Sequence, residues 1–430
     1  MSTWEMRLKS ESFQKVLWPI VALVVILLFN LFFTKGFFRI EVKTNFELTE
    51  KSLRNLEKTM PAEVIAKLER LKNQDYTDEK NFLSVVQETI GEEQTAQYKS
   101  SIMQHVSKEK RLFGSLIDIL NRGAPTMLLT IGMTLVYATG GIDLSVGSVL
   151  AISGAMAAYL IRPGYPWVLE YPDPPTSILL AVCVPLLIAM LAGLWNGFLV
   201  AYVGVQPIIA TLILMVAGRG IAQLITQGQI IIFVHEAFEF VGGGFLLRLP
   251  FPVILVIVML AITYFLTRKT ALGMFIEAVG ANPTASRFMG LQARQIKLVL
   301  YMLSGLCAGI AGLIICSDIR GADANNAGLF LELDAIASVI IGGTMAGGRF
   351  RLAGSMFGAL IIQSLTTTIL TRGVPPEVTL VYKAIVIILV VLIQSENFRR
   401  LFTQYFARMK MASPAPSLSQ EGAEESSHVK

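Results

Sequence analysis

Polar residues interrupt the apolar stretches of this chain in several places, and their types suit hydrogen bonding to a hydroxylated solute rather than bond-breaking chemistry. The first interruption is Thr139-Gly140-Gly141-Ile142-Asp143-Leu144-Ser145-Val146-Gly147-Ser148, where an acid and hydroxyls stand among glycines inside a hydrophobic region. Polar groups at membrane depth are costly, so each needs a reason. Asp143 or Ser145 can cap the following helix by accepting backbone N–H bonds. In the other reading the segment is unwound and lines a cavity, where irregular backbone is tolerated in a membrane. A second set, Asn196, Gln206, Thr211, Arg219 and Gln223, lies on the next spans and suits either a path for a solute or hydrogen bonds between helices. The third runs from Ser317 to Gly328 and leads through Glu332 and Asp334 into another span; it includes Asp323, Asn325 and Asn326. Carboxylates and carboxamides give sugar hydroxyls the paired donors and acceptors they need, and they equally suit a solvated loop folded on its own turns.

Other chemistries lack their residues. A phosphate-binding loop needs Gly-x-x-x-x-Gly-Lys-Ser/Thr, and the chain has no Gly-Lys dipeptide. His-Glu-x-x-His, Gly-x-Ser-x-Gly and supported carboxylate pairs are missing too, so no catalytic residue is assigned, the chain is not expected to be an enzyme, and any ATP falls to another chain. Cys183, Cys307 and Cys316 lie in apolar runs without paired spacing and read as small core hydrophobes. His105, His235 and His428 are scattered over segments that read as polar loops, so no metal site is expected.

Composition says what kind of elements must position the polar groups. Of 430 residues, 53% are hydrophobic and 16% charged, against roughly 25% charged in soluble domains. The reading is an all-α membrane protein with ten transmembrane helices in one bundle, near residues 16–33, 117–139, 144–161, 178–203, 206–226, 251–267, 296–316, 334–347, 352–371 and 378–395. The first follows Arg7, Lys9 and Lys15, lacks a cleavage site and reads as a retained signal anchor. Small residues one turn apart, at Gly193 and Gly197, Gly305 and Gly309, Gly343 and Gly347, and Gly354 and Gly358, point to close helix packing within the bundle.

Residues 34–112 differ sharply, with 14 Lys plus Arg and 13 Asp plus Glu. They read as a small soluble helical insert. Pro61 opens a helix with Val64, Leu68 and Leu71 on one face, ending near Asn73, and further helices are expected over 78–90 and around 101–106. Such an insert is either a cap that touches a partner or a tolerated insertion. The chain thus divides into an inner N-terminal segment 1–15, a first helix 16–33, an extracytoplasmic insert 34–112, a polytopic domain 113–396 and an inner, partly disordered tail 397–430 rich in Ser, Pro and Glu. Counting spans from an inside N-terminus leaves both termini and the loop 268–295 in the cytoplasm. Arg268, Lys269, Arg287, Arg294, Arg349, Arg351, Arg399, Arg400, Arg408 and Lys410 then fall inside, in keeping with the positive-inside bias.

The run Gly140 to Ser148, the stretch Glu277 to Gly290 (EAVGANPTASRFMG) and Leu303-Ser304-Gly305-Leu306 resemble the ribose-type permeases of bacterial ABC sugar importers, over roughly residues 116–394. Residues 194–230, 267–282 and 318–336 are most similar to galactofuranose-importing members. The charged insert departs from the family pattern. The resemblance implies a multi-pass protein of the bacterial inner membrane that translocates a small sugar, galactofuranose-like or another monosaccharide. It further implies a pore made with a second copy or a related permease, delivery by an extracytoplasmic sugar-binding protein, and ATP and Mg held by a partner ABC ATPase. Membrane lipid surrounds the chain, no cofactor is bound by it, and no nucleic acid is implied.

Carried onto this chain, the resemblance makes Glu277, Gly280, Asn282, Pro283, Ala285, Arg287 and Gly290 the loop that couples to the ATPase. Independently of it, Asn282 before Pro283 reads as an N-cap with proline at the first helical position. Candidates for the substrate path are Asp143, Ser145, Asn196, Gln206, Thr211, Arg219, Asn325, Asn326 and Asp334. The competing reading is an ion-coupled secondary transporter, for which Asp143 is the serious intramembrane acid.

Overall fold

The structure, a computed structural model, describes residues 11–33, 37–72, 74–76, 78–162 and 177–394. The readings that rest on Arg7, Lys9, His428 and the tail 397–430 lie outside the described residues. Those up to Lys383 form one compact unit, and a second unit from Ala384 is described only in the remaining turns of the last helix.

The first helix, α1 (Glu11–Phe33), leads into the insert. There β1 (Glu41–Glu47) is followed by α2 (Glu50–Leu56), α3 (Ala62–Leu68) with a tighter turn Glu69–Leu71, β2 (Asp75–Tyr76), α4 (Glu79–Ile90), α5 (Glu92–His105) and β3 (Ser107–Phe113). To the expected helices the structure adds a sheet of order β2-β1-β3, with β1 and β3 antiparallel from Glu41 opposite Phe113 to Glu47 opposite Ser107. Both strands are rich in charge, so no apolar alternation announced them. The third insert helix starts at Glu92 rather than near Ser101, and His105 is its last residue, not part of a loop. Phe46, Leu48, Leu68, Phe82, Val86 and Ile102 form a core belonging to the insert alone.

The bundle begins at α6 (Ser115–Ala138) and continues with α7 (Val146–Ile161), α8 (Ile178–Phe198, extended by a π-helical turn to Val203) and α9 (Pro207–Thr226). After β4 (Ile231–Ile232), α10 (Glu236–Gly243) and the hairpin β5 (Phe245–Leu246) and β6 (Leu249–Pro250), α11 (Phe251–Arg268) crosses back. Next come α12 (Leu272–Ala281), α13 (Pro283–Phe288), α14 (Ala293–Asp318), β7 (Gly321–Ala322), α15 (Leu331–Ile341), α16 (Leu352–Leu370) and α17 (Pro376–Gln394). Among the described residues, five helices are long and apolar enough to cross a membrane by themselves: Ile178–Val203, Pro207–Thr226, Phe251–Arg268, Ala293–Asp318 and Leu352–Leu370.

The segment expected as a span over 334–347 is a shorter helix. At 11 residues, α15 covers about 16 Å, roughly half of a 30 Å hydrocarbon layer. Gly342 and Gly343 end it, and the chain from there to Phe350 is not helical; Gly347 and Gly348 donate to Tyr137 O and Ala138 O at 3.0 and 2.8 Å.

Helix α14 runs through the middle, packed on α6, α7 and α8. Glycines let these backbones touch: a Cβ on Gly193 would strike Tyr301 O and lie 3.1 Å from Gly305 Cα. Gly354 and Gly358 likewise seat α16 on α15. Cys307 and Cys316 are buried as expected of small core residues, whereas Cys183 is exposed on the outer face of α8. The bundle has two recognisable ends. At the insert end, Leu112 N donates to Arg248 O at 3.4 Å and Arg320 pairs with Glu239 at 3.1 Å. The opposite end, called here the loop end, carries residues 139–146, 268–292 and 342–351.

Candidate functional site

The polar run after α6 folds into a buried junction. Gly140 turns the chain with φ 80°, and Gly141 leaves room for a ring, since a Cβ there would stand 2.6 Å from Tyr301 Oη. Asp143 is buried and both of its oxygens are held: Ser145 N and Ser145 Oγ donate to Oδ1 at 3.1 and 2.6 Å, and Ser304 Oγ of α14 donates to Oδ2 at 2.8 Å. Ser145 is the N-cap residue of α7 but makes no side-chain cap bond. Asp143 therefore ties a tight turn to α14 instead of capping the next helix through its second or third N–H.

Two of the other path candidates join this junction. Asn196 Nδ2 of α8 donates to Ser145 Oγ at 2.8 Å while its Oδ1 has no partner, and Thr211 Oγ1 of α9 donates to Pro207 O at 2.9 Å, with Ile142 O at 3.3 Å. The structure thus brings Asp143, Ser145, Asn196 and Thr211 together and adds Ser304 and Tyr301, which sequence reasoning left without a role. Their signal was slight, a serine and a tyrosine one turn apart in an apolar run.

The remaining candidates fall elsewhere. Gln206 precedes α9 at the loop end, exposed and without a cap bond. Arg219 donates through one nitrogen to Ala324 O and Ala327 O at 3.1 and 2.5 Å, and Gln223 donates to Asn325 Oδ1 at 2.8 Å. Asn326 donates through its backbone and side chain to the Asp323 carboxylate, whose Oδ1 also accepts Asn325 N. Asp334 pairs with Lys383 at 2.8 Å, both side chains mostly buried.

The stretch 319–328 is folded on its own turns, with Asn325 and Asn326 exposed and Ala322, Ala324 and Gly328 buried. Ala324 packs with Ala151, Ile152, Ala155 and Ala222. Beyond β7 the chain thus passes between α7 and α9 as a run of turns, and Arg219 satisfies the Ala324 and Ala327 carbonyls there.

At the loop end, Asn282 Oδ1 accepts Ala285 N at 2.9 Å and so caps α13. Beneath it α12 is seated on the bundle: Ile276 and Val279 are fully buried, and a Cβ on Gly280 would strike Ala138 O and lie 2.7 Å from Gly348 N. Ile276 shares a core with Ala138, Tyr301 and Phe350. Helix α13 instead projects, with Phe288 and Met289 89% and 83% exposed. Pro283, Ala285, Arg287 and Gly290 are exposed and Glu277 is partly so; Gly290 ends the turn with φ 84°.

Residues 115–391 match the family model described as branched-chain amino acid transport system / permease component. The chain belongs to this family of permeases. Among curated relatives it is 55% identical to the galactofuranose transporter permease protein YtfT of Escherichia coli, over 69% of this chain and 84% of the relative. It is 39% identical to the fructose import permease protein FruF of Bifidobacterium longum, over 67% and 80%. With the ribose import permease protein RbsC of Escherichia coli the identity is 35%, over 69% and 90%. No solved structure matches significantly. The permease is thus a multi-pass membrane protein, and the family match starts at the first residue of α6, leaving α1 and the insert outside it.

Proposed function

We propose that this permease is the membrane-spanning subunit of an ATP-driven importer that moves a small sugar, galactofuranose or a similar monosaccharide, delivered by an extracytoplasmic binding protein. The observation that carries the reading is α13, a short capped helix standing off the loop end with two large apolar side chains exposed while its neighbour α12 is fixed to the core. An exposed apolar tip on a rigid base suits docking in a groove of a partner ATPase, which hydrolyses ATP with Mg. Because Ile276 packs in one cluster with Tyr301, and Tyr301 lies against the Asp143 turn, displacement of α12 and α13 reaches that junction through packed side chains as a rigid-body movement.

The loop end is cytoplasmic in this reading, along with both termini, and the insert faces the opposite side. A second permease, identical or related, completes the pore. The sugar is supported by the names of the relatives above and by the carboxylate, hydroxyl and amide groups near the short helices. Affinity purification of the tagged permease in mild detergent, followed by mass spectrometry, tests the assembly: an ABC ATPase and a sugar-binding protein accompany it. Recovery of the chain alone after gentle crosslinking contradicts the importer.

A further inference from the structure

Helices α7 and α15 start against each other and run to opposite ends of the bundle. With 16 and 11 residues they are about 24 Å and about 16 Å long. Arg162, just past the end of α7, donates to Ile232 O at the insert end, while α15 leads to the turn held by Tyr137 and Ala138 at the loop end. The first turn of α7 meets the backbone that leads into α15 and a side chain of its first turn: a Cβ on Gly147 would stand 2.5 Å from Gly328 O and would collide with the carboxylate of Glu332.

Glu332 is the feature of this meeting point that packing does not explain. Lying in the first turn of α15, it is 8% exposed, and its Oε2 has no hydrogen-bond partner. A buried acceptor left unsatisfied is costly. Two helix N-termini favour the negative charge, and Arg219 interacts electrostatically with Glu332 from α9. Those surroundings select among ligands. A cation meets Arg219 and two positive helix ends, and an anion meets the carboxylate. A neutral molecule that donates hydroxyl hydrogens finds an acceptor already in place.

We propose that Glu332 is a solute-contacting residue of the translocation path, whose free oxygen accepts a hydroxyl of a neutral polyhydroxylated solute when the first turns of α7 and α15 part. The inference rests on the importer reading and adds to it a residue and a solute class. The contact of Gly147 with Gly328 closes the place in the present conformation, so access to Glu332 must change during the transport cycle.

The test uses the permease purified with its partner ATPase and supplied with its sugar-binding protein, with Cys183, Cys307 and Cys316 replaced by alanine and Glu332→Cys introduced, and a charged methanethiosulfonate as probe. Labelling is expected to be slow at rest and at least about tenfold faster during ATP turnover with sugar. Equal, slow labelling in both states overturns the proposal. Should that variant fail to fold, Glu332→Gln is assayed for uptake of radiolabelled D-galactose, D-ribose or D-fructose, whichever the unmodified complex imports. KM is expected to rise about tenfold or more, as for loss of a hydrogen bond to a charged acceptor, with kcat within about twofold. An unchanged KM, with or without a fall in kcat, overturns it. A complex that imports neither these sugars nor any other monosaccharide with ATP removes the importer reading and this inference with it.

Discussion

Replacing Asn282 by alanine isolates the proposed coupling element from the rest of the molecule. The change deletes one hydrogen bond, Asn282 Oδ1 to Ala285 N at 2.9 Å. Helix α13 has six residues, five of them exposed, so little packing can make up the loss. An N-cap of this kind is worth about 1 kcal/mol, which lowers the ratio of formed to frayed helix about fivefold. The bundle itself is not touched, and the melting temperature of the purified permease should stay within about 1 °C, as for surface changes generally. Assembled with its ATPase, the variant should show sugar-stimulated ATP hydrolysis reduced by up to about fivefold, the limit reached where the frayed form predominates. Asn282→Asp keeps a capping oxygen and should retain most of the stimulation. Full stimulation in the alanine variant would refute the role of α13, and so would equal failure of both variants at unchanged expression.

Other substitutions probe other parts of the account. Gly290→Val meets no atom within 4 Å but must hold φ 84°; a cost of about 1–2 kcal/mol confined to that turn should leave membrane insertion intact and abolish stimulated hydrolysis in an ATPase assay. Gly193→Ala pushes α8 from α14 at Tyr301 and Gly305 and should lower stability by about 1–3 kcal/mol in a thermal melt. Lys383→Met leaves the Asp334 carboxylate, 2.8 Å away, without its cation; a loss of about 3 kcal/mol is expected, with most of it recovered when Asp334→Asn is added. Joining Val42 to Leu112 by a short turn removes the insert together with its own core, and the shortened permease should still co-purify with the ATPase.

Most spans were legible because long uncharged runs leave few alternatives in a bilayer, and their observed ends fall close to the apolar limits read from sequence. The segment after Gly328 misled because its apolar run continues through Gly342 and Gly343, while backbone conformation ends the helix there: Gly343 has φ 73°. The insert sheet was hidden for the opposite reason, since β1 and β3 pair through backbone and half of their residues are charged. Asn282 and Pro283 could be read outright, a cap and a first-turn proline being local signals. The split of the polar residues could not. Which of Asn196, Thr211 and Arg219 meets which partner depends on how α7, α8 and α9 cross, and Glu332 stands out only once Gly147 and Gly328 are seen to bring two helix starts together.

The central claim is that this permease moves a sugar with energy from a partner ATPase. Its most direct test is uptake of labelled sugar into proteoliposomes holding the purified complex, with binding protein on the insert side and ATP on the loop side. Accumulation is expected to require ATP and to persist when ion gradients are collapsed. Uptake driven by an ion gradient without ATP, and lost when Asp143 is replaced by asparagine, would contradict it.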